Sequence, residues 1–114
     1  MPATKQITPR GKSKGEREMY IINEENHSGI AAVKDPYKSI YWLLDNGWLS
    51  YNSCGILEDD TEKELWQIIN IPKEEAKDKP YLIKNYFKSL NMKEFFETME
   101  IFGFYFEEID VIDY

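Results

Sequence analysis

The sequence offers only one candidate cysteine–histidine pair for nucleophilic catalysis. It has one histidine, His27, and one cysteine, Cys54. A cysteine beside a histidine can form a nucleophilic pair, but His27 lies among turn-forming residues and Cys54 precedes Gly55 in a connecting segment. We therefore interpret His27 as an exposed turn residue and Cys54 as a small space-filling side chain. The expectation is a protein that is not an enzyme.

One acidic cluster could in principle bind a metal ion. Glu58, Asp59, Asp60 and Glu62 carry the carboxylate oxygens that Mg²⁺ and Ca²⁺ prefer, but they lack the alternating ligands and glycine of an EF-hand loop. Zinc would need more His and Cys ligands than the chain has. The same string suits the start of a helix, because acidic side chains there interact favourably with the helix dipole. No phosphate-binding glycine motif is present, so we predict neither a metal nor a cofactor.

Length and composition are typical of one globular domain. The chain has 114 residues, of which 42% are hydrophobic and 31% charged, enough for a core without disulfide bonds. A single cysteine cannot form an internal disulfide, which favours a reducing compartment. The longest apolar run, residues 40–44, is far shorter than the about 18 residues of a membrane span, and there is no apolar signal segment. We expect a cytoplasmic protein that does not enter membranes.

The formal charge of −7 is unevenly distributed. Residues 1–18, with five basic and two acidic side chains, carry +3, and the remaining residues carry −10. Residues 1–17 have little to bury, which predicts a disordered basic tail followed by a single domain over residues 18–114. An acidic domain repels nucleic acid and anionic membranes and attracts a basic protein. Direct nucleic-acid binding is therefore not expected.

The first half of the domain predicts a hairpin and two helices. Residues 19–22 and 30–33 are apolar and flank a turn-rich segment, which indicates two paired strands. Asp35 followed by Pro36 predicts a helix start, and Gly47 predicts its end. Residues 61–64 fit a capping box, with Thr61 as the N-cap of a second helix.

The second half predicts two more helices and a strand. Residues 73–79 form a charged stretch to which no element is assigned, after which Pro80 begins a helix. Asn91 caps the last helix, and Gly103 ends it. Residues 104–106 alternate as a strand, and a bulge near residues 107–108 would bring Ile109 into phase with them. The expected buried positions of these two helices are Leu82, Ile83, Tyr86, Phe87, Leu90, Met92, Phe95, Phe96, Met99 and Phe102.

Together these elements predict an α+β fold. A small antiparallel sheet, made of the N-terminal hairpin plus the C-terminal strand, packs one face against about four helices.

The acidic C-terminal third is the first feature that could bind a partner. Glu94, Glu97 and Glu100 recur every three residues and share one face of the last predicted helix; we name them the acidic stripe. No basic residue follows Lys93. Four further acids extend the charge along the strand and tail: Glu107, Glu108, Asp110 and Asp113. A solvated helix face explains the same pattern equally well.

Aromatic side chains on polar faces are the second feature. Trp42 and Tyr81 project from the polar sides of their predicted helices, and Tyr105 lies opposite Phe104 and Phe106 on its strand. Tryptophan and tyrosine are enriched at the centres of protein interfaces. Coverage by another element of the same chain is the competing interpretation.

These features favour an acidic binding or inhibitor protein. It would mask a basic, nucleic-acid-binding site on a partner protein by placing carboxylates where phosphates bind. Nuclease immunity proteins and phage-encoded inhibitors have a similar composition, which is an analogy and not a shared motif. The alternative is a small regulatory or structural module that forms a homodimer through the exposed aromatics. Nucleic-acid binding by the basic tail and an enzyme activity are weaker alternatives.

Overall fold

The computed structural model of the protein describes residues 18–110. The predicted basic tail, residues 1–17, lies outside this part, as do residues 111–114 with Asp113 and the side chain of Asp110. The strands are β1 (Glu18–Glu24), β2 (His27–Val33), β3 (Cys54–Ile56), β4 (Glu62–Glu64) and β5 (Phe104–Asp110). The helices are α1 (Ser39–Asp45), which follows a 3-10 turn at Pro36–Lys38, α2 (Leu65–Ile68), α3 (Lys73–Asp78), α4 (Tyr81–Lys88) and α5 (Met92–Ile101).

The predicted α+β class is confirmed. Strands β2, β1 and β5 form an antiparallel sheet in that order, so the N-terminal hairpin and the C-terminal strand share one sheet. The hairpin turn is shorter than predicted and occupies only residues 25–26. Its register shifts between Ile22 and Glu24, where Gly29 adopts a φ of 63°. The backbone N–H of Gly29 donates to Asn23 Oδ1 at 2.7 Å, which satisfies a donor at the irregularity.

The predicted bulge in the C-terminal strand is wrong. β5 pairs with β1 without a register shift, from Glu18 opposite Asp110 to Glu24 opposite Phe104. Ile109 therefore lies on the outer face of the sheet, opposite Met19. Because β1 has apolar side chains on both faces, Ile109 finds an apolar neighbour there and no bulge is needed.

The helices cover the inner face of the sheet. Phe95 of α5 is fully buried, and its ring contacts the rings of Tyr37, Phe87 and Phe106 at centroid distances of 4.9, 5.9 and 5.6 Å. The predicted burial of Ile83, Phe87, Phe95 and Met99 is confirmed. Met92 was also expected inside but is 37% exposed, because it occupies the first residue of α5, beside the exposed N-cap.

Residues 61–64 do not begin a helix. Residues 62–64 form β4, which pairs with β3 in a second, two-stranded sheet. The helix begins three residues later than predicted, at Leu65, with Glu64 as N-cap. The backbone N–H of Glu64 donates to Gln67 Oε1 at 2.9 Å, which completes a capping box one turn further along the chain.

The charged stretch, to which the sequence assigned no element, forms helix α3. Pro72 precedes it, Glu74 and Glu75 occupy its first turn, and Lys77 lies in its last turn, an order that suits the helix dipole. Only Ala76 is buried, so no apolar period marks this helix in the sequence. In the described part of the chain, no helix is both long and apolar enough to cross a membrane.

Candidate functional site: an acidic groove beside Tyr105

An open groove of about 900 Å³ lies between the β3–β4 hairpin, helix α5 and the start of β5. Three elements that are distant in sequence therefore meet around one surface. We name this surface the acidic groove. It is lined by Ile56, Leu57, Glu58, Asp59, Glu97, Thr98, Glu100, Ile101 and Tyr105.

Gly55 sets the position of the hairpin against α5. It is buried in β3, and a Cβ atom on it would lie 2.5 Å from Ile101 Cγ2 and 3.0 Å from the ring of Phe102. Only glycine lets the β3 backbone approach the end of α5 this closely. The residues that follow Gly55 are thereby held across from Glu97 and Glu100.

The groove carries exposed apolar surface. Ile56 is 58% exposed and Tyr105 is 45% exposed. Among the described residues, the only other large hydrophobic side chains with such exposure are Tyr81 and Met92. Two of these four thus line the same groove, and a bound partner could bury both.

Four carboxylates surround that apolar surface. Glu58 and Asp59 come from the β3–β4 loop, Glu97 and Glu100 come from α5, and no lysine or arginine is among the lining residues. Hydrogen bonds from the Thr61 side chain and then from the Thr61 backbone N–H lower the pKa of Asp59 below its ordinary value. The backbone bond measures 3.0 Å. The Asp59 carboxylate is therefore charged at neutral pH.

The acidic stripe is divided between two roles. Glu97 and Glu100 line the groove, whereas Glu94 belongs to the N-terminus of α5. Glu94 Oε1 accepts a hydrogen bond from the Asn91 backbone N–H at 3.1 Å, and the Glu94 N–H donates to Asn91 Oδ1 at 2.8 Å. This capping box satisfies two helix-end donors and confirms the predicted cap at Asn91, so Glu94 has a structural role at the start of α5.

The acids of β5 are also divided. Glu107 lies on the same face as Tyr105, two residues along the strand, and is exposed. Glu108 points to the opposite face, across from Tyr20. Asp110 and Asp113 have no described side chain. The structure thus brings Glu97, Glu100 and Tyr105 together, whereas Glu107 does not line the groove.

The other two predicted aromatics lie away from the groove. Trp42 is half-buried and packs against the hydrophobic core, which favours the competing interpretation that another element of the chain covers it. Tertiary packing covers a side chain that the helix period had assigned to the polar face. Tyr81 is 54% exposed on α4 and does not line the groove.

His27 and Cys54 each have other neighbours. His27 Nδ1 lies 2.9 Å from Glu24 Oε1, and its ring packs edge-on against Trp48 at 5.4 Å. Cys54 is exposed and pairs across the hairpin with Glu64. Among residues 18–110, no three His, Cys, Asp or Glu side chains are arranged to hold a metal ion.

Sequence reasoning missed the half of the groove that the β3–β4 loop contributes. Asp60 adopts a φ of 66°, and the backbone N–H of Leu57 donates to the carbonyl of Thr61 at 2.8 Å. An Asp-Asp pair is compatible with such a turn, and the short run of apolar residues before it could have indicated the first strand of a hairpin. The same acids also suited a helix start, which is how they were interpreted.

No protein-family model, curated protein or solved structure matches this chain. The geometry and charge of the acidic groove are therefore the basis for a functional proposal.

Proposed function

We propose that the protein is a non-enzymatic binding protein that holds a basic segment of a partner protein in the acidic groove. It would thereby mask a surface of the partner that otherwise binds nucleic acid. One observation carries the proposal: the groove combines four carboxylates, no lining cation, and the exposed side chains of Ile56 and Tyr105.

Basic side chains are chemically suited to this groove. Lysine and arginine have apolar stems and charged ends. Their stems would cover Ile56 and Tyr105 while their charged ends reach Glu97, Glu100 or the loop acids. The apolar contact would slow dissociation, and the negative charge would speed association.

The charges of the groove favour a partner segment whose basic side chains normally bind phosphates. Glu97 and Glu100 lie about one helical turn apart and border the same groove as Glu58 and Asp59. Such a row of carboxylates can occupy the arginine and lysine side chains that would otherwise contact a phosphate backbone. The net charge of −7 makes direct binding of nucleic acid unfavourable for this chain itself.

The test uses a fluorescent arginine-rich peptide as probe and measures its dissociation constant by anisotropy. The variant Glu97→Lys/Glu100→Lys removes two groove acids. The control Asp45→Lys/Asp78→Lys makes the same charge change at exposed helix ends outside the groove. We expect the groove variant to weaken binding at least about tenfold and the control less than about threefold.

Salt dependence and competition by DNA provide two further tests of the proposed binding. Wild-type binding should weaken as ionic strength rises, and a single-stranded DNA oligonucleotide should compete with the protein for the peptide. Equal losses in the groove variant and the control would show that only overall charge matters. That outcome would contradict a role for the groove.

Dimerisation through exposed aromatics remains the alternative proposal, supported by the exposure of Tyr81 and Tyr105. Sedimentation velocity across a concentration series separates the two. A dimer that Tyr81→Ser weakens, and that the groove variant leaves intact, would favour the interaction module.

A further inference from the structure

Within residues 18–110, strand β5 is paired along one edge only. All seven of its residues pair with β1 on one side, and among residues 18–110 no strand lies on the other side. The pairing is regular throughout, so no bulge bends this edge away. Such an edge presents backbone N–H and C=O groups that can pair with an additional strand.

The acidic groove adjoins β5 at Tyr105. Tyr105 belongs to both features, because it lines the groove and pairs with Asn23 of β1. No β1 residue lines the groove; its other walls are α5 and the β3–β4 hairpin. A chain that entered the groove at Tyr105 could therefore continue along the free edge of β5.

Charge disfavours a second copy of this chain at that edge. Antiparallel pairing of two β5 strands about Glu107 would place that carboxylate opposite its own copy. Like charges directly opposite each other destabilise a strand pair. A strand with a basic residue at that position would instead pair favourably with Glu107.

We propose that the basic partner segment binds as an added β-strand along the free edge of β5, with its first residues in the acidic groove. This inference rests on the proposed function and specifies its binding mode. Backbone hydrogen bonds to β5 would supply part of the affinity. Alternate side chains would supply specificity, with basic residues facing Glu107 and the groove acids, and their neighbours pointing to the other face.

The test uses an eight-residue probe peptide in which arginine alternates with valine, and an analogue methylated at every backbone nitrogen. The two peptides have the same charge, but the analogue cannot donate hydrogen bonds to β5. We expect the analogue to bind at least about tenfold more weakly. Hydrogen exchange by NMR supplies the second measurement. The unmodified peptide should slow the β5 amides that face away from β1 at least about tenfold.

The possible outcomes separate this inference from the proposed function. Equal binding of the two peptides, or unchanged exchange of the outward β5 amides, would overturn strand addition. The proposed function would still stand if the unmodified peptide prefers wild type to Glu97→Lys/Glu100→Lys. If it shows no such preference, the proposed function itself fails.

Discussion

The backbone of Gly55 in β3 lies directly against the side chain of Ile101 at the end of α5. A Cβ atom on Gly55 would come within 2.5 Å of Ile101 Cγ2, closer than packed carbon atoms tolerate. This contact helps to join the small β3–β4 sheet to α5, and the acidic groove lies beside it.

Gly55→Ala should therefore destabilise the protein by about 1–3 kcal/mol, the usual cost of overpacking. Chemical denaturation would measure it. Ile101→Leu moves the branch from Cβ to Cγ and so removes the Cγ2 methyl group. Gly55→Ala should therefore cost less free energy of unfolding in that background than in the wild type. Additive effects of the two substitutions would contradict the contact.

The two neighbouring phenylalanines of α5 should differ in their contribution to stability. Phe95 is fully buried, whereas Phe96 is only partly buried. Phe95→Ala should cost about 3–5 kcal/mol in free energy of unfolding, and Phe96→Ala clearly less. Equal costs in denaturant melts would mean that the inner face of α5 is rotated relative to this structure.

Substitutions of the three acids of the acidic stripe should differ in their effect on stability. Glu94→Lys removes the side chain that accepts from the Asn91 N–H and places a positive charge at a helix N-terminus. It should cost about 0.3–1.5 kcal/mol. Glu97→Lys/Glu100→Lys changes only exposed positions and should leave the melting temperature unchanged or slightly higher. A larger loss in the double variant than in Glu94→Lys would contradict this division.

His27→Ala should raise the pKa of Glu24. The hydrogen bond from the His27 side chain is the main cause that lowers this pKa below its ordinary 4.5, and the Asn26 backbone N–H is the second. NMR titration of the Glu24 side chain would measure the rise. The shift should be partial, because the Asn26 donor remains in place at 2.9 Å.

The hydrogen bond between Glu24 and His27 also predicts how the free energy of unfolding changes as the pH falls. Because Glu24 has a lower pKa when folded, its contribution is present above the ordinary carboxyl pKa and is lost as pH falls through the folded value. His27→Ala should therefore lose less of this contribution on acidification than the wild type. Parallel stability curves for the two proteins below pH 4.5 would contradict it.

Elements with a strong local signal were predictable from the sequence. The amphipathic α4, the capped and amphipathic α5, the apolar β1 and the alternating start of β5 follow from periodicity and turn chemistry. Helix α3 was not predictable in this way, since Ala76 is its only buried residue. The β3–β4 hairpin was not predicted, for a different reason. Tertiary contact at Gly55 stabilises it, and no local pattern encodes that contact.

The residues of the candidate site also fall into those that the sequence could indicate and those that it could not. Glu97, Glu100 and Tyr105 could be singled out because charge and aromatic position are visible in sequence. Ile56 and Asp59 could not, because their role depends on how the hairpin lies against α5. Trp42 shows the converse, since packing covered a side chain that its helical position left exposed.

The pairing of β1 with β5 has a consequence for how the chain folds during its synthesis. The central strand is translated before every helix described here, but its second neighbour is translated only after all of them. Until then, the hairpin has its central strand unpaired on one side and able to pair with another nascent chain. Closing so long a loop is entropically costly and slow. Completion of the sheet is therefore the step at which translation rate and chaperone capture compete with aggregation.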